Sequence, residues 1–155
     1  EGPTKPQLVK ATQGLTHVYH FPLQPMERLN DWLNVADIHL LPQKAEAADL
    51  VLPSKLLGIL ASGKPVVASS TRGTELALLA EQAGACVTPG DINSFAKKLR
   101  ELVSSPEDRA QAGRRARKLA ETAFGMDAVL GNFEEKLRDL VAQKDRSSST
   151  KKLSY

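Results

Sequence analysis

The segment from Leu52 to Ala68, LPSKLLGILASGKPVVA, constrains the fold most, because a loop, a helix, a tight turn and a buried strand follow one another directly in it. Pro53 requires an extended entry, and Ser54 is a good N-cap residue. The N–H groups that follow, including those of Lys55 and Leu56, are then free donors that point away from the helix, at the positive end of its dipole. A phosphate fits such an end, so the segment predicts an anion site.

The stretch from Gly58 to Lys64 also matches the first part of a Walker A loop, G-x-x-x-x-G-K. Pro65, however, stands where a Ser or Thr would hold magnesium. A P-loop follows a strand and opens a helix, whereas these glycines span a helix and its exit. The sequence therefore favours an anion site at the start of the helix over a nucleotide triphosphatase loop.

Composition indicates an ordinary globular protein. The 155 residues are 41% hydrophobic and 25% charged, which is enough for one domain with a core. No apolar run approaches ~20 residues and no signal-peptide pattern is present, so a cytoplasmic location is the default expectation. The single Cys86 rules out an intramolecular disulfide. The net charge of +3 permits attraction to phosphorylated ligands or to an anionic membrane face, and 5% aromatic residues argue against nucleic acid.

Strands and helices alternate along most of the chain. Helices are predicted over residues 4–13 and from Pro25, the latter with Leu29, Trp32 and Leu33 on one buried face. The four predicted strands are His17–Phe21, Ile38–Leu41, Val66–Ser69 and Ala85–Val87. Strands separated by helical patterns of this length indicate an α/β fold, a Rossmann-like parallel sheet with flanking helices.

The C-terminal part is predicted to be helical without further strands. Asp91 and Ser105 are the predicted N-caps of two helices, and Met126 to Val141 carries the apolar stripe of the last one. From residue 145 the composition turns to Ser, Thr and Lys. The predicted organisation is therefore one domain over residues 1–144 and a disordered tail over 145–155.

The loops that follow the strands are rich in Pro, Gly, Ser and amide side chains. In an open parallel sheet the ligand sits outside the carboxyl ends of the strands. The turn Pro53-Ser54-Lys55 lies on the same rim by connectivity. One cleft can therefore combine a backbone phosphate cradle, a lysine and apolar walls for a base.

Several of these segments together resemble a known family. They are Asn34 to Pro42, Pro53-Ser54-Lys55, Ala61 to Val67 and Gly73 to Leu76. In combination they are similar to the C-terminal domain of a family 4 glycosyltransferase of the GT-B fold, in the branch of colanic-acid and fucosaminyl transferases of bacterial surface polysaccharides. The resemblance covers Glu1 to Val141. It implies retaining transfer of a sugar from a nucleotide diphosphate sugar to a lipid-linked or saccharide acceptor, with no metal and no further cofactor.

The resemblance also implies the roles of individual residues. Ser54 and Lys55 would meet the diphosphate, with Pro53 and Leu56 in the same turn. Leu23 and Pro42 would lie near the base.

Two acidic residues and a departure from the family pattern complete the predicted site. Asp49 is either a solvated loop residue or a ligand contact, and Glu75 either complements its helix dipole or contacts the donor sugar. The family's glutamate pair, spaced E-x7-E, would fall on Leu50 and Gly58, and neither is acidic. The catalytic residues are therefore unknown.

The beginning of the chain carries a further expectation. Glu1-Gly2-Pro3 resembles the end of the family's Gly-Glu-Gly turn, so the first β-α-β of the domain and the acceptor-binding domain would precede residue 1. We therefore expect donor-binding features and no independent sugar transfer by these 155 residues.

Alternatives stay open for the histidines and the basic helix. His17 and His20 would face opposite sides of a strand and cannot chelate one metal, so they are expected to be structural, and His39 is expected to be packed. The basic helix is interpreted as a solvated face, with a weak electrostatic contact to the inner membrane face as the alternative. Its basic residues are Arg109, Arg114, Arg115, Arg117 and Lys118.

Two other functions compete with the donor-binding half of a glycosyltransferase. A sugar-nucleotide epimerase of related architecture would need catalytic acids and a histidine in the cleft, and the chain offers none in matching context. A non-catalytic Rossmann-like nucleotide-binding module is the other alternative. Nucleotide titration separates this non-catalytic module from the two enzymes.

Overall fold

The computed structural model describes residues 2–44 and 52–151, with side chains as far as residue 143. The chain divides into two compact units, Glu1–Val35 and Ala36–Tyr155. Asp49 and Leu50, which entered the site prediction, lie outside the described residues.

The first unit consists of short helices joined by irregular segments. Helix α1 spans Lys5–Ala11, a 3-10 turn spans Met26–Arg28 and α2 spans Leu29–Val35. The two predicted helices are therefore present in shorter form. No residue of these elements is buried, so Trp32 and Leu33 are only partly covered and the predicted buried face is wrong.

The strand predicted over residues 17–21 is absent, which reduces the predicted four strands to three. The amide of Val18 donates to the carbonyl of Leu15 at 3.3 Å in a turn, and His20 Nε2 lies 2.8 Å from Thr12 Oγ1. A high β-propensity reports how well a side chain fits a pleated, half-buried surface. It does not supply the neighbouring strand that ladder hydrogen bonds require, and this explains the error.

The second unit is built on a parallel sheet of three described strands. They are β1 His39–Pro42, β2 Val66–Ser69 and β3 Gly84–Val87, in the spatial order β1-β2-β3. Both pairs are parallel, with Val66 opposite His39 on one side and opposite Gly84 on the other. The parallel arrangement predicted from the alternation of strands and helices is confirmed.

The described helices of the second unit follow the strands closely. They are α3 Ser54–Ser62, α4 Glu75–Ala83, α5 Ile92–Ser104, α6 Pro106–Ala123 and α7 Met126–Lys151. Side-chain oxygens of Thr74, Asp91 and Ser105 accept the backbone N–H three residues on and cap α4, α5 and α6, at 3.3, 2.9 and 3.2 Å. The predicted caps Asp91 and Ser105 are confirmed, and each satisfies an amide that lacks an intrahelical partner.

The core of the second unit lies around the central strand. All four residues of β2 are buried, whereas β1 alternates between half-buried and exposed positions. Leu56 and Leu60 of α3 pack against β2, α4 and α6 in one apolar cluster. The sheet and the surrounding helices therefore fix α3 along one side.

Helices α3 and α6 approach each other closely at two glycines. Gly63 ends α3 in the left-handed region, with φ 68°, a conformation that favours glycine. A Cβ at Gly113 of α6 would collide with the carbonyl oxygen of Gly63 and come within 3.2 Å of its carbonyl carbon. The absence of a side chain at Gly113 is thus what lets the two backbones touch.

Three arginines of the basic helix α6 bond to carbonyls of other helices, which the interpretation as a solvated face did not include, although Arg115 and Arg117 remain exposed. Arg109 Nη1 donates to the carbonyls of Leu102 and Val103, Arg115 Nε to that of Gln82, and Arg117 Nη1 to that of Ala61, at 2.6–2.8 Å. These carbonyls lie in the last turns of α5, α4 and α3, where the helix itself provides no partner. Arg114 and Lys118 have no side-chain partner among the described residues.

Helix α7 projects its apolar stripe into solvent. Its large apolar residues Met126, Val129, Leu130, Phe133, Leu137, Leu140 and Val141 are all exposed in the described structure. The helix includes residues 145–151, which the composition assigned to a disordered tail. The disordered tail over 145–155, expected from a composition poor in apolar residues, stays a prediction.

Candidate functional site

The N-terminus of α3 is the predicted phosphate site, and the structure changes its details. Pro53 is the N-cap, with φ −61° and ψ 121°, and no side chain caps the helix. The prediction of Ser54 as the N-cap is therefore wrong, because the extended conformation fixed by Pro53 starts the helix one residue earlier. The Pro53 carbonyl already accepts the amide of Leu56 at 2.9 Å, so that amide is not a free donor.

Two amides and one ammonium group remain at this end of α3. The amides of Ser54 and Lys55 have no acceptor among the described residues, and both side chains are exposed. The side chain of Leu56 is fully buried in the core, and its packing anchors the first turn of α3. The predicted group therefore divides into Ser54 and Lys55, which face solvent, and Pro53 and Leu56, which support them.

Lys64 of the misleading Walker pattern lies at the opposite end of the same helix. It follows Gly63, which caps the C-terminus of α3, and it is half-buried. At about 1.5 Å of rise per residue, the helix that separates the two lysines is roughly 12 Å long from its first to its last residue. Lys64 is therefore near the negative end of the dipole and Lys55 near the positive end.

A hydrogen-bond network joins the loops at the carboxyl ends of the strands. Ser69 Oγ donates to the carbonyl of Gln43 and accepts from its amide, at 3.1 and 3.0 Å. Ser70 Oγ lies 3.3 Å from Gln43 Oε1 and 2.8 Å from Thr74 Oγ1. Both serines are buried, so these contacts satisfy polar groups that water does not reach.

This network positions two of the predicted site residues. Pro42 ends β1 directly before Gln43, and Glu75 begins α4 directly after Thr74. Both side chains are exposed. Sequence reasoning missed Ser69 and Ser70 as the connecting residues, since a buried strand end with two serines is a weak signal by itself.

Two recesses open beside the network. The first, of about 230 Å³, is mostly apolar and is lined by Pro42, Ile92 and Phe95 together with the hydroxyls of Ser69 and Thr88. The second, of about 300 Å³, has a mixed polar and apolar lining that includes Arg72, Cys86 and Lys98. Burial raises the pKa of the Cys86 thiol above its ordinary value, so this thiol is protonated at neutral pH.

Leu23 belongs to the first unit, where it lines an apolar groove. The groove measures about 430 Å³ and includes Phe21, Leu29 and Trp32. The rings of Phe21 and Trp32 lie 5.0 Å apart between centroids at 59°, a tilted aromatic pair. The buried Trp32 Nε1 has no hydrogen-bond partner among the described residues.

The described residues form neither a metal-ligand cluster nor a membrane-spanning helix. Among the described side chains, of residues 2–44 and 52–143, no three His, Cys, Asp or Glu come together as a set of metal ligands. Over the same ranges, no helix is long and apolar enough to cross a membrane.

Comparison with known protein families shows the family to which the chain belongs. Residues 4–119 match the family described as glycosyl transferases group 1. The chain belongs to this family. The match extends from α1 to within the last turns of α6 and so includes every predicted site residue.

Known group 1 glycosyl transferases and a solved structure agree with this assignment. The chain is 35% identical over 143 residues to the putative colanic acid biosynthesis glycosyl transferase WcaI of Escherichia coli K12, covering 89% of the chain and 34% of that relative. It is 32% identical over 124 residues to the D-inositol 3-phosphate glycosyltransferase of Streptomyces avermitilis, covering 79% of the chain and 26% of that relative.

The solved structure is a sucrose-phosphate synthase from Thermosynechococcus elongatus, which matches with a TM-score of 0.71 and 21% identity over 90% of the chain and 34% of its own length. This likeness shows the Rossmann-like GT-B fold. The chain thus spans about a third or less of the proteins it matches. The predicted resemblance to a GT-B C-terminal domain is confirmed.

Proposed function

We propose that this chain is the donor-binding part of a retaining glycosyltransferase of bacterial polysaccharide biosynthesis, which takes a nucleotide diphosphate sugar as donor. The observation that carries the proposal is the exposed N-terminus of α3 in a group 1 glycosyl transferase. There the amides of Ser54 and Lys55, which have no acceptor within the described part of the chain, lie beside the Lys55 ammonium group. In this proposal the sugar is a hexose. Transfer takes place against a second, acceptor-binding domain, in the cytoplasm.

The diphosphate is the part of the donor that this arrangement fits. Two N–H donors, the positive end of the α3 dipole and one cation all favour an anion at the same place. A hydrogen bond to a charged group contributes about 1.5–3 kcal/mol, so the diphosphate supplies most of the binding free energy in this proposal. No metal is needed to neutralise it.

The base and the sugar have weaker support from the described residues. Pro42 and the apolar recess beside it offer a surface for a flat ring, and Leu23 in the first unit offers another. Glu75 at the start of α4 is the proposed contact to the sugar. Gly58 lies inside α3, so the second position of the family's glutamate pair carries no side chain here. We assign no catalytic residue.

Calorimetric titration of the 155-residue chain tests the proposal. Uridine, guanosine and adenosine diphosphates are titrated in turn, since the base is not assigned. We expect one of them to bind, and we expect Lys55→Ala to weaken that binding by about tenfold or more. The matched control is Lys64→Ala, a lysine at the other end of the same helix, which should change the affinity little.

Three results would contradict the proposed site. They are a lack of binding by all three nucleotides, unchanged affinity in Lys55→Ala, and a loss in Lys64→Ala as large as that in Lys55→Ala. Raising the salt concentration should weaken binding by the intact chain more than by Lys55→Ala, because the exposed ammonium group acts through a screened charge interaction.

A further inference from the structure

Helix α3 is tied at the end opposite its exposed amides by a single arginine of α6. Arg117 Nη1 donates to the carbonyl of Ala61 at 2.7 Å, and its Nε donates to Glu121 Oε1, also at 2.7 Å. Glu121 lies one turn further along α6, so it orients the guanidinium group on its own helix. The group is thereby aimed at the last turn of α3.

The chemistry of this contact favours a fixed position for α3. Carbonyls in the last turn of a helix have no intrahelical partner and carry the negative end of the dipole, so a guanidinium group there stabilises the helix end. The close approach of Gly63 to Gly113 lies beside this contact. Together the two contacts hold the C-terminal end of α3 against α6.

The first turn of α3 is anchored by the packing of Leu56, but among the described residues no side-chain hydrogen bond holds this end of the helix. Its N-cap is Pro53, and no side chain caps the helix. Ala61 and Lys55 are separated by about 9 Å along the axis at 1.5 Å of rise per residue. Because α3 has only 9 residues, loosening of its last turn at Ala61 reaches its first turn and the amides of Ser54 and Lys55.

We propose that Arg117 is a positioning residue of the donor site, acting through α3 on the diphosphate contacts of Ser54 and Lys55. This inference rests on the proposed function for the identity of the ligand. Arg117 itself touches no ligand in this proposal. It fixes the direction in which the N-terminal amides of α3 point.

The same helix provides two matched controls. Arg115 Nε donates to the carbonyl of Gln82 at 2.7 Å, in the last turn of α4, so it makes the same kind of contact with a different helix. Arg114 has no side-chain partner among the described residues. Arg115→Ala therefore reports the general cost of losing such a contact, and Arg114→Ala reports the loss of a charge alone.

The first measurement is the affinity of each variant for the nucleoside diphosphate that the intact chain binds, at a temperature where all variants are folded. We expect Arg117→Ala to bind about three- to tenfold more weakly, the size of effect that residues outside a site commonly have. Arg115→Ala and Arg114→Ala should bind as the intact chain does. Arg117→Lys keeps the positive charge but cannot bond to Ala61 and Glu121 with the geometry of the guanidinium group. Its affinity should lie between those of the intact chain and of Arg117→Ala.

The second measurement needs no ligand. Hydrogen exchange of the Leu56 amide reports the first turn of α3, because this amide donates to the carbonyl of Pro53. We expect its exchange to be severalfold faster in Arg117→Ala and unchanged in Arg115→Ala. If the intact chain binds no nucleotide, the proposed function fails and exchange at Leu56 alone decides the role of Arg117.

Unchanged affinity and unchanged exchange in Arg117→Ala would overturn the proposal. Equal losses in Arg117→Ala and Arg115→Ala would also overturn it, since they would show a general loosening of the fold. If Arg117→Ala does not fold, the same comparisons are made with Arg117→Lys and Arg115→Lys, and equal behaviour of that pair has the same meaning.

Discussion

Replacing Gly113 by alanine should destabilise the protein, although alanine is the better helix former. The new Cβ would collide with the carbonyl oxygen of Gly63. A Cβ and a carbonyl oxygen are both fixed by their backbones, so neither can avoid the clash by a change of rotamer. Overpacking of this kind costs about 1–3 kcal/mol. The higher helix propensity of alanine offsets about 1 kcal/mol of that cost. We therefore expect a net loss of up to about 2 kcal/mol in the free energy of unfolding.

Gly131 provides the matched control on another helix. A Cβ at Gly131 of α7 meets no atom within 4 Å, so Gly131→Ala gains the propensity term alone. Urea unfolding followed by far-ultraviolet circular dichroism measures both variants. We expect the unfolding midpoint of Gly113→Ala to fall, with a melting temperature lower by up to roughly 8 °C, and the unfolding midpoint of Gly131→Ala to rise slightly. An increase in stability for Gly113→Ala would refute the close packing of α3 against α6.

Three further predictions concern the cap, the thiol and the activity. Thr74→Val should lower the free energy of unfolding by about 1–2 kcal/mol in the same urea assay, because it removes the cap of α4 and the partner of Ser70; a change within error would contradict the network. Cys86 should be alkylated by iodoacetamide more slowly at pH 8 in the native chain than in denaturant, because burial raises its thiol pKa and the thiolate is the reactive form; equal rates would contradict its burial. The 155-residue chain should show no sugar transfer to an acceptor in a radiolabelled-donor assay, and measurable turnover would show that it carries the complete reaction centre.

Features fixed by neighbouring residues could be predicted from the sequence. The strand Val66–Ser69 and the caps Asp91 and Ser105 are such features, because a short apolar run between turn residues and a side-chain oxygen before a helix act within a few residues. The anion site proposed at the start of α3 stays a prediction, and the helix start itself was predicted in the same way. Its detail was wrong by one residue, since both Pro53 and Ser54 are good starting residues and only the backbone angles decide between them.

Features that depend on distant partners could not be predicted. The run His17–Phe21 has the propensity of a strand, but a strand exists only where a neighbour completes its ladder. The arginines of α6 were interpreted as a solvated face because their acceptors are the last carbonyls of other helices. No periodic pattern in α6 points to those carbonyls.

The ties between α6 and the earlier helices also set an order of events during synthesis. Arg115 and Arg117 reach back across 33 and 56 residues to Gln82 and Ala61. Closing loops of this length costs conformational entropy, and the hydrogen bonds that offset this cost form only once the loop is closed. A nascent chain therefore makes α3, with its exposed N-terminal end, well before the ribosome has added the arginines of α6 that bond to α3 and α4. Until α6 emerges, α3 and α4 depend on local propensity and on the strand between them, and ribosome-bound chains ending before Pro106 should expose the Leu56 amide to exchange.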